Sequence, residues 1–254
     1  MFRNTLAAAS VIAMTASGAL AVETTGTEFT LGWDRLEGFG GEADGIQGAV
    51  DTELMFNNFG LGLGAGFASP DSIGGLDTIL RLSATGNYYF GNGGFVGAFF
   101  DYTKLNGPGP FDGYSYLYGL QGGFRADRVE VTAFYGVGDY DDLGAPSHSD
   151  AYGVDFNYAI TQAFDIGAYY VSESVTGTSV DQYGLTVGYN FGAGGSAAPV
   201  YLVGGIGRMD LDGTELDQFS LAVRMPIGGE PSKGRASFHH RSAFNNTWGI
   251  AGGF

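Results

Sequence analysis

Phe59-Gly60-Leu61-Gly62-Leu63-Gly64-Ala65-Gly66-Phe67 decides the class of fold. Apolar side chains hold every odd position and glycine every even one, the period of two that belongs to an extended strand with one apolar face. The alternation recurs along the chain. Leu80, Leu82, Ala84, Tyr88 and Phe90 interleave with Arg81, Ser83, Thr85 and Asn87, and Val129, Val131, Ala133, Tyr135 and Val137 with Glu130, Thr132 and Gly136. Tyr152, Val154, Phe156 and Tyr158 oppose Gly153, Asp155 and Asn157, and Tyr183, Leu185, Val187, Tyr189 and Phe191 oppose Gln182, Gly184, Thr186 and Asn190. A soluble sandwich turns its apolar faces toward each other and covers the outside with Lys and Glu. Here the bulky face is aromatic and the opposing face is Gly, Ser, Thr, Asn and scattered charge. That inverted pattern fits a barrel with lipid outside and a wet interior.

Composition agrees. Among 254 residues there are 46 Gly, 20 Phe and 15 Tyr, a poor recipe for helix and a good one for strand. The absence of cysteine removes disulfide scaffolds, zinc–thiolate sites and thiol nucleophiles. A net charge of −16, from 27 acidic and 11 basic residues, argues against a nucleic-acid partner, because phosphate demands a basic face.

The first 21 residues read as an export signal, with Arg3 as the positive region, Leu6 to Met14 as the apolar core and Ala19-Leu20-Ala21 as the cleavage site. The expected organisation is therefore a signal peptide over 1–21 and a single β-barrel over 22–254. Nothing later approaches the roughly 18 uninterrupted apolar residues of a spanning helix. Fourteen strands are expected, within a range of twelve to sixteen. They lie near 27–35, 46–57, 59–69, 76–90, 95–105, 114–126, 129–140, 151–161, 164–175, 180–191, 199–211, 216–227, 235–244 and 247–254. Brief connections at Asn57-Asn58, 126–128 and Gln162-Ala163 alternate with longer polar ones at 36–45, 70–75, 106–113 and 141–150. Aromatics gather beside both sets, among them Phe56, Phe59, Phe164 and Tyr189 near the short turns and Trp33, Tyr102, Tyr116 and Tyr170 near the long ones. Two aromatic belts are what a membrane barrel needs.

The chain ends in Phe254, preceded at period two by Gly252, Ile250 and Trp248. With the export signal, the strand pattern and the acidity, this ending resembles that of a small Gram-negative outer-membrane porin. The resemblance implies a passive pore in the outer membrane, surrounded by lipid and lipopolysaccharide, with Phe254 read by the barrel-assembly machinery. It implies no cofactor and leaves the oligomeric state open. The chain is short for the sixteen strands of the larger porins and carries no loop long enough to fold inward as theirs does.

Strand parity places Asp51, Glu53, Asp101, Glu130, Asp155, Asp165 and Glu173 on the inner wall, with Arg81, Arg125, Arg224 and Arg241 facing the same way. Seven acids against four arginines predict a mildly cation-selective pore for small hydrophilic solutes. Three other features invite chemistry. The glycine pairs 122–123 and 204–205 lack the following helix and lysine of a phosphate loop. The clusters Asp139-Tyr140-Asp141-Asp142 and Asp210-Leu211-Asp212-Gly213 lack EF-hand spacing and read as solvated loops, so no metal is expected. His240 and Ser242, two apart, resemble the His-x-Ser pair of the outer-membrane lipid A deacylases. Parity with Phe238 and Phe244 would turn them toward lipid, with Asp217 as the orienting acid, since no acid follows Ser242. The expected function is the pore, without catalysis. The alternatives are a lipid A acyl hydrolase and a non-conducting structural or adhesive barrel.

Overall fold

A computed structural model describes residues 23–38, 41–71, 77–107, 112–141, 147–193, 199–227 and 241–249. The expected signal peptide and Phe254 lie outside these residues. Twelve strands follow in chain order: β1 (Glu23–Gly38), β2 (Gly41–Phe56), β3 (Phe59–Pro70), β4 (Thr78–Tyr89), β5 (Gly94–Asn106), β6 (Gly113–Ala126), β7 (Val129–Asp141), β8 (Ser147–Ala159), β9 (Phe164–Val175), β10 (Thr178–Asn190), β11 (Tyr201–Leu211) and β12 (Thr214–Ile227). Each pairs antiparallel with its neighbours in sequence, and β1 pairs with β12 to close a barrel. A tilted strand needs about 9–11 residues to span a bilayer, and all twelve have at least 11.

The number of strands is twelve, not fourteen. The first twelve segments read from the sequence match β1 to β12 in order, but the described parts of the last two do not form strands. Of 235–244, the described part begins at Arg241, which lies in a turnless stretch before a helix, α1 (Ala243–Gly249). The same helix occupies the described part of 247–254. Two causes act together. The free edge of β12 is already taken by β1, from Thr27↔Ile227 to Glu37↔Asp217, leaving no ladder for a thirteenth strand. Ser242 then caps the helix: its Oγ accepts the Asn245 amide at 3.1 Å and its carbonyl accepts the Asn246 amide at 3.1 Å.

The expected alternation of short and long connections also weakens. β1 and β2 stay paired up to Gly38↔Gly41, where a loop over 36–45 was expected. Thr176-Gly177 and Asp212-Gly213 make two-residue turns with positive φ at both positions (42° and 90°, 49° and 86°), the geometry that matches strand twist in a hairpin.

Large apolar side chains point outward from every strand, including Leu31, Ile46, Phe67, Leu82, Phe100, Leu120, Tyr135, Val154, Ile166, Leu185, Ile206 and Leu221. Leu120 is 70% exposed and Leu185 57%. A soluble monomer rarely exposes contiguous apolar surface beyond a few hundred Å², so this belt calls for lipid. No helix among the described residues is long and apolar enough to cross a membrane.

Inside, large rings lie flat on the wall where glycine permits it. A Cβ on Gly153 would stand 2.5 Å from the Phe134 ring, and one on Gly184 would stand 2.7 Å from the Tyr169 ring. Phe99, Leu117, Phe134, Ala151, Val171, Val180, Met209 and Leu216 form a buried apolar patch on the inner wall, and Ala243 of α1 completes it. Phe244 packs on the same patch and meets Tyr140 edge to face, centroids 5.1 Å apart. Helix α1 thus sits inside the barrel because the interior offers it an apolar seat.

Candidate functional site

The interior has two levels. The lower one lies near the strand ends joined by Asn57-Asn58 and Asp127-Arg128. Arg125 and Glu130 face each other across β6 and β7 one residue from that end and form an ion pair. Arg224 of β12 reaches across the closing seam to Glu28 of β1, Nη2 to Oε1 at 2.9 Å and Nε to Oε1 at 3.0 Å. Glu53 accepts the Tyr89 hydroxyl at 2.5 Å, and Asp165 accepts the Asn157 amide at 3.4 Å. Asp155 and Asp51 share this level, on β8 and β2. Among the described residues, two arginines therefore face six carboxylates there.

The upper level holds α1 and the residues before it. Glu173 of β9 is fully buried and serves three donors. Its Oε2 accepts the Ser242 hydroxyl and the Phe244 amide, both at 2.9 Å, and its Oε1 accepts the Tyr140 hydroxyl at 2.6 Å. Asn245 donates to Ser115 at 2.8 Å and Asn246 to Gln182 at 2.8 Å, while Arg81 donates to Asn246 at 3.3 Å. Gln182 donates in turn to Gln218 at 2.9 Å, and Gln47 donates to Asp34 at 2.7 Å. Asp101 carries Arg241, with Nη1 at 3.0 and 3.1 Å from its two oxygens. Between the segment and β2–β5 remains a cavity of about 100 Å³, lined by Asp51, Arg81, Ser83, Asp101, Arg241 and Asn245 among others. That is well under the roughly 300–1,000 Å³ of an ordinary small-molecule cleft.

Every acid and arginine singled out from the sequence is partly or fully buried, on the face opposite the exposed apolar side chains. Arg241 reaches that interior from the coil before α1 and not from a strand. The His-x-Ser reading is corrected on two points. Ser242 faces the interior, bonded to Glu173 and beside the Tyr140 hydroxyl at 2.9 Å, because it caps a luminal helix. Asp217 lies on the outer face, paired with Arg208 at 3.0 Å, so the barrel wall separates it from Ser242. His240 lies outside the described residues. The aspartate clusters serve turns and neighbouring side chains: Asp210 accepts the Gly213 amide, Asp212 the Ser179 amide and Asp141 the Tyr114 hydroxyl.

Sequence reasoning passed over Glu28 and Asp34, both buried on β1. Their signal was present, since they alternate with Phe29, Leu31 and Trp33. It also missed the neutral luminal network of Tyr140, Gln182, Asn245 and Asn246, which no local pattern distinguishes from ordinary strand or loop polarity.

No family model matches the sequence, and no curated protein matches it. Solved structures do. The NanC porin superposes with a TM-score of 0.60 at 8% identity, covering 78% of this chain and 100% of that one. The fold is that of small outer-membrane channels. The COG4313 outer-membrane channel of Pseudomonas putida F1 gives 0.54 at 12% identity, over 83% of this chain and 98% of the channel. The KdgM porin in complex with disordered oligogalacturonate gives 0.51 at 12% identity, over 78% and 99%. These similarities show a shared barrel fold.

Proposed function

We propose that the protein is an outer-membrane channel for small hydrophilic solutes, that it prefers cations, and that it transports without catalysing. The observation that carries this reading is a closed barrel with an apolar exterior around an acid-rich interior. Buried carboxylates are costly to keep without water or partners, and a wall that gathers them at one level favours a hydrated, cation-attracting passage. The oligogalacturonate held by the KdgM porin is a polyanion. The excess of acids over arginines here favours cationic or neutral solutes instead. Ser242 supports transport over hydrolysis, because its hydroxyl is spent on Glu173 and on the helix cap.

The test is a planar-bilayer recording of the purified full chain in a KCl gradient. The expected reversal potential has the sign of potassium preference. A clear chloride preference would overturn the selectivity. Absence of current from the wild type and from Arg241→Ala would overturn the channel and favour the structural barrel.

A further inference from the structure

Arg241 occupies a recognition site that the barrel wall builds independently of it. The residue is 3% exposed, and its guanidinium is met from three directions. Both Asp101 oxygens take Nη1, the Gln121 Oε1 takes Nη2 at 2.6 Å, and the Phe99 ring lies 4.4 Å from Cζ. Charge, a directed acceptor and a planar platform together select a flat, fork-shaped cation over a compact ammonium.

The wall fixes each element of this cradle. Phe99 and Asp101 are two apart on β5 and so share a face, and Gln121 is on the adjoining strand β6. The Gln121 amide donates to Asn87 Oδ1 at 2.7 Å, which turns its oxygen toward the guanidinium. Phe134 holds the Phe99 ring edge to face, centroids 5.7 Å apart. These supports come from the barrel wall, so the orientation of the cradle does not depend on Arg241 itself.

We propose that Asp101, Gln121 and Phe99 form a luminal site for guanidinium-bearing solutes, such as arginine and short arginine-containing peptides, and that Arg241 fills it as a tethered competitor. The inference rests on the channel reading and names the solute class. While Arg241 is seated, α1 fills the upper lumen and the cavity of about 100 Å³ beside it is too small for such a solute. A free guanidinium that takes the cradle releases the segment and opens the passage.

Full-length wild type, Arg241→Ala, Arg241→Lys and Arg241→Ala/Asp101→Asn are recorded in planar bilayers, with folding checked by the gel shift between unboiled and boiled samples. Arg241→Ala should conduct several-fold more than the wild type. Millimolar arginine should raise wild-type current but block Arg241→Ala, with lysine at least ten times weaker and the block lost in the Asp101→Asn double variant. If Arg241→Ala does not fold, Arg241→Lys answers the question, since arginine should open it at lower concentration than the wild type. Wild-type current unaffected by arginine, together with Arg241→Ala conductance equal to wild type, overturns the site and leaves the channel standing. Calorimetric titration of arginine into the detergent-solubilised variants separates the two readings. Binding to Arg241→Ala without any current keeps the site and overturns the channel, and no binding overturns the site.

Discussion

The two levels of the interior solve the same problem in opposite ways. At the upper level, polar groups are matched by other protein groups: Glu173 receives three donors, Asn245 and Asn246 find Ser115 and Gln182, and an apolar patch seats Ala243 and Phe244. At the lower level, six carboxylates share two arginines around the seam and the β6–β7 pair. The first arrangement is held largely by protein groups around an apolar seat, with Asn245 Oδ1, Arg241 Nε and Gln218 Nε2 buried and unmatched at its margins. The second is dominated by charge, with acids outnumbering the arginines beside them. One barrel thus carries a mostly neutral network at one height and an acid-rich one at another.

The largest effect should come from breaking the upper level at its centre. Glu173→Ala strands the Phe244 amide and leaves the Ser242 and Tyr140 hydroxyls to each other, and a buried donor left unmatched costs about 1–3 kcal/mol. Loss of about 3 kcal/mol is roughly a hundredfold shift in seating. The chain has no cysteine, so a single Asn245→Cys reports seating cleanly through its labelling by a hydrophilic maleimide. Labelling should be at least about tenfold faster with Glu173→Ala than without it; an equal rate would show that α1 does not depend on this carboxylate.

The next test sharpens the lower level. Glu130→Gln with Asp155→Asn should move the reversal potential toward zero while leaving the labelling rate unchanged. The preference should also fall between 0.1 and 1 M KCl, as the screening length shrinks from about 10 Å to about 3 Å. A selectivity indifferent to both would place the discriminating charges elsewhere. Ser242→Ala comes third. It removes a helix cap and one of three donors to Glu173, about 1 kcal/mol for the cap alone. It should speed labelling less than Glu173→Ala and release no acyl chain from lipid A. The smallest effect is expected from Arg208→Ala, whose partners Asp217 and Glu215 lie on the exposed outer face. It should leave selectivity, labelling and heat stability unchanged.

What the sequence revealed follows from how local each signal is. Twelve strands were legible because Phe, Tyr, Leu and Val mark one face of each, as at Phe59 to Phe67 and Tyr183 to Phe191. The same parity would have found Glu28 and Asp34. Closure is not local: nothing within 216–227 announces that its free edge belongs to residues 27–37, and register between chain ends decides it. The tail misled for a related reason. Phe238, His240, Ser242 and Phe244 fit a period of two over a window too short to separate strand from helix. The one residue that argued for a helix, Ser242, was placed on a strand face beside His240 instead of at a helix cap. Contacts such as Arg241 with Asp101 or Ser242 with Glu173 join positions 140 and 69 apart, and no motif spacing encodes them.

The seam between β1 and β12 also gives the device a side. β12 ends at Ile227, opposite Thr27, at the mouth where the first strand starts. The segment carrying Arg241 is tied to that mouth and sits beyond it, toward the far end of the barrel. The two mouths are therefore not equivalent: the near one joins the first and last strands, while Tyr140 and Glu173, which hold the helix, stand close to the strand ends at the far one.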